Sequence, residues 1–229
     1  MVLLSELTLP SEQDADRIAS ELRRFIAAPD FPCVGAKAAL RRHQLSALVM
    51  SDIRSSACDL LIARHLQDFA VRYDREAHLF VSQAVVFRNC IGLSEEEFEA
   101  HLWQRLTGLH AIDRHDFSWD ATVESDPTSP HFSLSIGGKG FFVVGLHPNA
   151  SRAARRFLYP TLVFNLHAQF ERLREEGRYE QIRSKTLERD IALDGSVNPM
   201  LARHGEGSAA AQFSGRIVAK DWKCPFRHD

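Results

Sequence analysis

HFSLSIGGKGFFVVGLHP, residues 131–148, is the stretch on which the reading of the fold turns. Residues 131–136 form one β-prone run and residues 141–146 a second, with Gly137-Gly138-Lys139-Gly140 between them. This pattern predicts a β-hairpin closed by a glycine turn. Pro148 stops the second strand and holds His147 in extended geometry.

Working outward, FVSQAVVF at residues 80–87 predicts another strand, buried on at least one face and ended by Arg88-Asn89. Ile18, Leu22, Phe25 and Ile26 recur at helical spacing after Ser11, which predicts a helix over residues 12–27. Ala57, Leu61, Leu66 and Phe69 repeat the pattern over residues 55–70. Ser94 and Glu97 form a capping box, with Leu93 and Phe98 placed as its hydrophobic staple. The helix they start continues through Leu102, Leu106 and Leu109, so His101 and His110 fall on it, read as solvated or lightly packed. Residues 113–130 are polar and proline-punctuated, a loop in which Asp113-Arg114-His115-Asp116 reads as surface. After Pro160, Leu162, Leu166, Phe170 and Leu173 predict a helix that Gly177 ends. The fold class expected is α+β: a small antiparallel sheet with a central hairpin, packed by several helices. Residues 1–229 are expected to form one domain, with an extended C-terminal tail.

The 229 residues carry 28 basic and 30 acidic side chains, a formal net charge of −2. No global field favours nucleic acid, and no apolar run approaches the roughly 20 residues of a membrane helix. The N-terminus has no basic leader region. The four cysteines, Cys33, Cys58, Cys90 and Cys224, form no C-x-x-C pair, which argues against a zinc cage and for reduced thiols in a cytoplasmic protein. P-loop, nucleophile-elbow and H-E-x-x-H motifs are absent.

The chemistry-bearing stretch is 136–170. A strand delivers His147 at its end, and Ser151, Arg152, Arg155 and Arg156 follow within nine residues. A neutral imidazole is a good iron ligand, and guanidinium groups bind carboxylates bidentately. Heme would supply both an iron and two propionates, but a phosphate-bearing cofactor would suit the same spacing. A buried structural histidine beside a solvated basic turn is the simpler account. His167 shares a predicted helix face with Val163 and Phe170 and is either a core group or a pocket residue; Asn165 is either a substrate partner or a local cap. Cys224-Pro225 is a short motif of the kind that contacts heme, or a thiol packed near the chain end. Glu188-Arg189-Asp190 reads as polar punctuation.

Taken together, Phe31-Pro32-Cys33, Ser135-Ile136-Gly137-Gly138, residues 142–148, Ser151-Arg152 with Ala154-Arg155-Arg156-Phe157, Phe164-Asn165 with His167 and Gln169-Phe170-Glu171, Arg189-Asp190, Asn198-Pro199-Met200-Leu201, and Gln212-Phe213-Ser214-Gly215-Arg216 with Trp222 and Cys224-Pro225-Phe226 resemble the YqcI/YcgG family in order and spacing. The resemblance spans residues 31–226. That family includes heme-dependent N-hydroxylases that act on guanidines. The chain departs from its pattern at Ala209, where an acidic residue is expected, and at Phe213, where a tyrosine is expected.

The resemblance implies a heme-dependent oxygenase holding heme b. It would N-hydroxylate a guanidine-bearing or amino-acid-like substrate with O2 and electrons from an external donor, with a homodimer as the candidate assembly; the composition adds the expectation of no nucleic-acid or membrane partner. The alternative it leaves is a heme-binding or heme-trafficking protein without turnover. It makes His147 the expected iron ligand, with His167 and Cys224 as rivals, and Ser151, Arg152, Arg155 and Arg156 the cofactor-binding group. His167 and Asn165 are the expected catalytic pair. Glu171, Glu188 and Asp190 are the carboxylates offered to a guanidinium.

Overall fold

The computed structural model describes residues 9–90, 92–200, 208–219 and 221–228. The leader reading of residues 1–8 and the glycine-rich start of the tail at 204–207 lie outside these. Six α-helices and a five-stranded open sheet make up the described chain, an α+β fold. The elements run α1 (Glu12–Ala27), α2 (Val34–Arg41), β1 (Leu45–Met50), α3 (Asp59–Val71), β2 (Ser82–Phe87), α4 (Glu95–Asp113), β3 (Leu134–Ile136), β4 (Lys139–Leu146), β5 (Thr161–Leu166), α5 (His167–Glu175) and α6 (Tyr179–Asp194).

The strand order is β1-β2-β5-β4-β3. The β2–β5, β5–β4 and β4–β3 pairs are antiparallel, and β1 joins parallel to β2. The expected hairpin is β3–β4, and it occupies one edge of the sheet rather than its centre. Its turn is tighter than the four glycine-rich residues suggest, because Ile136 pairs with Lys139. Only Gly137 and Gly138 lie in the bend, at φ +60° and +68°. Both central residues of such a two-residue turn sit in the left-handed region, which glycine enters without a Cβ clash. A Cβ on Gly137 would also come within 2.8 Å of the Ala70 methyl on α3.

Side chains alternate across the sheet and feed a core on each face. Val85 and Phe87 of β2, Phe141 and Val143 of β4, and Leu162, Phe164 and Leu166 of β5 meet α3, α4 and the tail residues Phe213 and Phe226. Ala84 and Val86 of β2, Leu146 of β4, and Val163 of β5 meet α1, α2 and the start of α6. Strands β2 and β5 are therefore covered on both sides by helices. Burying each large apolar side chain here contributes roughly 1.5–3 kcal/mol.

The segment after Pro160 is a correction to the periodic reading. Thr161–Leu166 is a strand, and the helix begins only at His167. Leu162, Leu166, Phe170 and Leu173 satisfy helical spacing, yet Leu162, Phe164 and Leu166 also alternate with period two, which the sheet uses. The capping box is present: Ser94 Oγ accepts from the Glu97 amide at 3.2 Å, and Glu97 Oε2 accepts from the Ser94 amide at 2.8 Å.

Candidate functional site

His147 leaves β4 at the sheet end nearest the start of α4. Its amide donates to the Arg155 carbonyl at 3.0 Å. Its ring is 1% exposed and lies on Phe98, centroids 4.4 Å apart and planes 22° apart. Nδ1 has no hydrogen-bond partner. Burial, assisted by the Arg155 charge and opposed by Glu95, pushes the imidazole down to about 4, so it is neutral near pH 7.

The arginines beside it are engaged by the protein. Arg152 is buried, forms ion pairs with Asp190 and Asp194, and donates to the Ser196 hydroxyl and carbonyl at 2.9 Å each. Arg155 donates to the carbonyls of Gly145 (2.9 Å), Phe213 (3.3 Å) and Gln212 (3.2 Å), clamping the tail to β4. Burial pushes its guanidinium down to about 10. Arg156 donates to the Ala150 and Ser151 carbonyls at 2.7 and 2.5 Å. The Ser151 amide donates to Glu95 at 2.9 Å. These residues tie the strand end to α4, α6 and the tail.

Asn165 and His167 belong to the other end of the sheet. Leu146 pairs with Thr161, and Phe141 with Leu166, so His147 and His167 flank opposite ends of the β4–β5 ladder. Five residues of strand rise separate those ends by roughly 17 Å. The two histidines therefore do not share one site. Asn165 Oδ1 accepts from Ser82 Oγ at 2.7 Å, and its amide reaches the Phe142 and Val163 carbonyls at 3.3 Å, a cross-strand tie.

His167 lies between Glu171, 2.8 Å from its Nε2, and Ser133 Oγ, 3.3 Å from its Nδ1. Burial lowers its affinity for a proton, against the pull of Glu171. It lines a polar cavity of about 420 Å³ with Glu124, His131 and Glu171. Glu171 is also paired with Arg174. Of the other carboxylates, Glu188 is exposed and Asp190 is committed to Arg152. Cys224 is half-buried, and burial pushes its thiol up to about 12, so it is protonated at neutral pH.

A larger cavity, about 800 Å³, opens at the C-terminal end of α4 between His110, Arg114, Trp119, Ser135 and His228. His110 is 6% exposed, packed more tightly than the solvated or lightly packed residue expected. Its ring centroid lies 5.1 Å from those of Trp119 and His228 and 5.6 Å from that of Phe226. Its Nε2 is 3.2 Å from the His228 carbonyl, while its Nδ1 and the Trp119 indole nitrogen have no partner. Asp113 is buried too, accepting from Gln67 Nε2 at 2.8 Å and the Gly137 amide at 2.9 Å. The sequence signal was available: Trp103, Leu106, His110 and Asp113 follow one another at three- and four-residue steps, one face of α4. Glu124 and His131 carried no such signal, because a loop brings them to the smaller cavity.

A heme needs a bare donor nitrogen, room for the macrocycle and cations for its propionates. At His147 the nitrogen is bare, but neither cavity reaches it, Phe98 covers a ring face, and the three guanidiniums are occupied by protein oxygens. The residues around His147 do not fit the group in this arrangement. Among the described residues, no group of three or more His, Cys, Asp or Glu side chains is arranged to hold a bare metal ion. Among them, too, no helix is long and apolar enough to cross a membrane.

The sequence model of the YqcI/YcgG family matches residues 22–227. No curated protein and no solved structure matches the chain.

Proposed function

This chain belongs to the YqcI/YcgG family, and we propose from that membership that it is a heme-dependent oxygenase acting on a guanidine-bearing or similar amino-acid-like substrate. The observation that carries the reading is the family match over residues 22–227. Heme, when bound, supplies the iron that takes up O2, and the protein supplies binding, orientation and protons.

The chain's own residues suit the substrate side of this reading in the smaller cavity. Glu124 offers an exposed carboxylate to a guanidinium, which binds such groups through charge-assisted hydrogen bonds, while Glu171 is already paired with Arg174 and His167. His167, hydrogen-bonded to Glu171, is a neutral imidazole suited to passing a proton.

The test is a titration of the purified protein with hemin, followed by reduction under O2 with arginine as a guanidine probe. A Soret band together with a product heavier by one oxygen supports the proposal. No Soret band sinks it. A Soret band with no oxygenated product from arginine or other guanidines assigns the chain to heme binding without turnover.

A further inference from the structure

We propose that Ser133 is a positioning residue of the smaller cavity: acting through His167, it holds the Glu171 carboxylate in place for a cationic ligand. The inference rests on the guanidinium reading of that cavity and requires no heme.

The hydrogen bonding around His167 fixes its tautomer. An ionised carboxylate only accepts, so the 2.8 Å contact to Glu171 Oε1 places the ring proton on Nε2. Nδ1 then carries the lone pair, and the Ser133 hydroxyl, 3.3 Å away, donates to it. Burial, which lowers the affinity of the ring for a second proton, favours this neutral form. The charged groups acting on the ring are Glu171 and Arg174 on its own helix and Asp120 on the loop that precedes β3. Ser133 is itself fixed: it is 3% exposed, and its amide donates to the Glu124 carbonyl at 3.4 Å. Gly140 lets β4 lie against the base of His167, since a Cβ there would stand 3.3 Å from His167 Cβ and 2.9 Å from Val123 Cγ1.

The contacts from Glu124 through Ser133 and His167 to Glu171 therefore link the segment and the helix that carry the two carboxylates lining the cavity. Glu171 is paired, but its partners His167 and Arg174 both use Oε1. Among the described residues, no hydrogen bond is made to Oε2. The Glu171 side chain is 40% exposed and lines the cavity. A side chain already held in one rotamer loses less entropy on binding, so its two donors preorganise Glu171 for a ligand. A cation bearing several N–H donors, as a guanidinium does, fits this acceptor together with the exposed carboxylate of Glu124.

Nitrogen-15 NMR of the histidine rings, with methylguanidinium titrated into the full chain, tests the assignment in four proteins: wild type, Ser133→Ala, Ser133→Thr and Glu171→Gln. Wild type is expected to show His167 as the Nε2–H tautomer and to bind methylguanidinium. Ser133→Ala is expected to show a mixture of tautomers and to bind about three- to tenfold more weakly, the effect of one hydrogen bond. Ser133→Thr keeps the hydroxyl and is expected to restore both readings, which a purely steric role for Ser133 would not do. Glu171→Gln is expected to weaken binding at least as much as Ser133→Ala. An Nδ1–H tautomer in wild type overturns the inference. So does wild-type affinity in Ser133→Ala or in Glu171→Gln, or a Ser133→Thr as impaired as Ser133→Ala. A wild type that binds no methylguanidinium defeats the guanidinium reading itself and the inference with it, so the two failures are told apart.

Discussion

The imidazole of His147 lies flat on the phenyl ring of Phe98, 4.4 Å between centroids, where the end of β4 meets the first turn of α4. Burial, at 1% exposure, keeps the ring neutral. It joins one strand to one helix.

That burial has a pH signature. An unfolded histidine titrates near 6.5, and His147 is held at about 4. Above pH 6.5 both states are neutral and no stability is at stake. As the pH falls the unfolded chain takes the proton first, so stability drops between 6.5 and 4, by about 3 kcal/mol at most. Asp59, pushed up to about 6 by burial against the opposing pull of Arg105, acts in reverse: the folded protein takes its proton first, and stability rises as pH falls from 6 to 4. Urea unfolding at pH 7 and pH 4.5 separates the two. His147→Gln is expected to lose less stability on acidification than wild type; an unchanged acid slope contradicts the account.

Arg152→Ala is expected to destabilise the fold by about 3–5 kcal/mol, because it strands the Asp190 carboxylate, 4% exposed, and the neighbouring Asp194. Adding Asp190→Asn should recover part of the loss. If the double variant unfolds at the same denaturant concentration as the single one, the unpaired charge is not the cause.

Two glycines in regular elements resist alanine. A Cβ at Gly108 in α4 would stand 2.5 Å from Asp59 Oδ2, which the buried Arg105 ion pair holds in place. At Gly145 it would meet Phe98 Cε1 at 2.6 Å and the Phe213 carbonyl at 2.9 Å. Helix propensity alone predicts that Gly108→Ala stabilises by about 1 kcal/mol. The contacts predict the opposite sign, a loss of about 1–3 kcal/mol at each position, readable as a lower thermal midpoint.

Ser94→Ala removes one arm of the capping box and is expected to cost about 1 kcal/mol. Ser94→Asp should retain most of the stability, since its carboxylate accepts the same amide and complements the helix dipole.

Legibility of the fold in the sequence followed the strength of local patterns. Helix α1, the start of α4, strand β2 and the β3–β4 hairpin announce themselves through spacing, capping residues and Gly137-Gly138. Strand β1 and helix α2 are short and went unread. Helix α6 lacks an apolar stripe, and Asp190 is its one buried residue, held for its charge pair instead of its hydrophobicity. For β5, two periods fit the same leucines, and the sheet decided between them. The site was harder still. His147 and His167 lie twenty residues apart in sequence and at opposite ends of a ladder, which no spacing rule conveys. His110 meets His228 across 118 positions, a contact made only by tertiary packing.

The seam between β2 and β5 also orders the assembly of the molecule. Val85 pairs with Leu162 and Val86 with Thr161, residues more than seventy positions apart, whereas β3 and β4 are joined by two glycines. The hairpin can close on a timescale of about 1–10 μs. The seam must first gather a long loop, and its entropy is spent before any core contact repays it. Because β2 and β5 line both cores, neither layer of helices can complete its packing until that pairing exists. Loop closure then predicts that substitutions at Val85 and Leu162 slow refolding more than substitutions in the hairpin at the edge of the sheet.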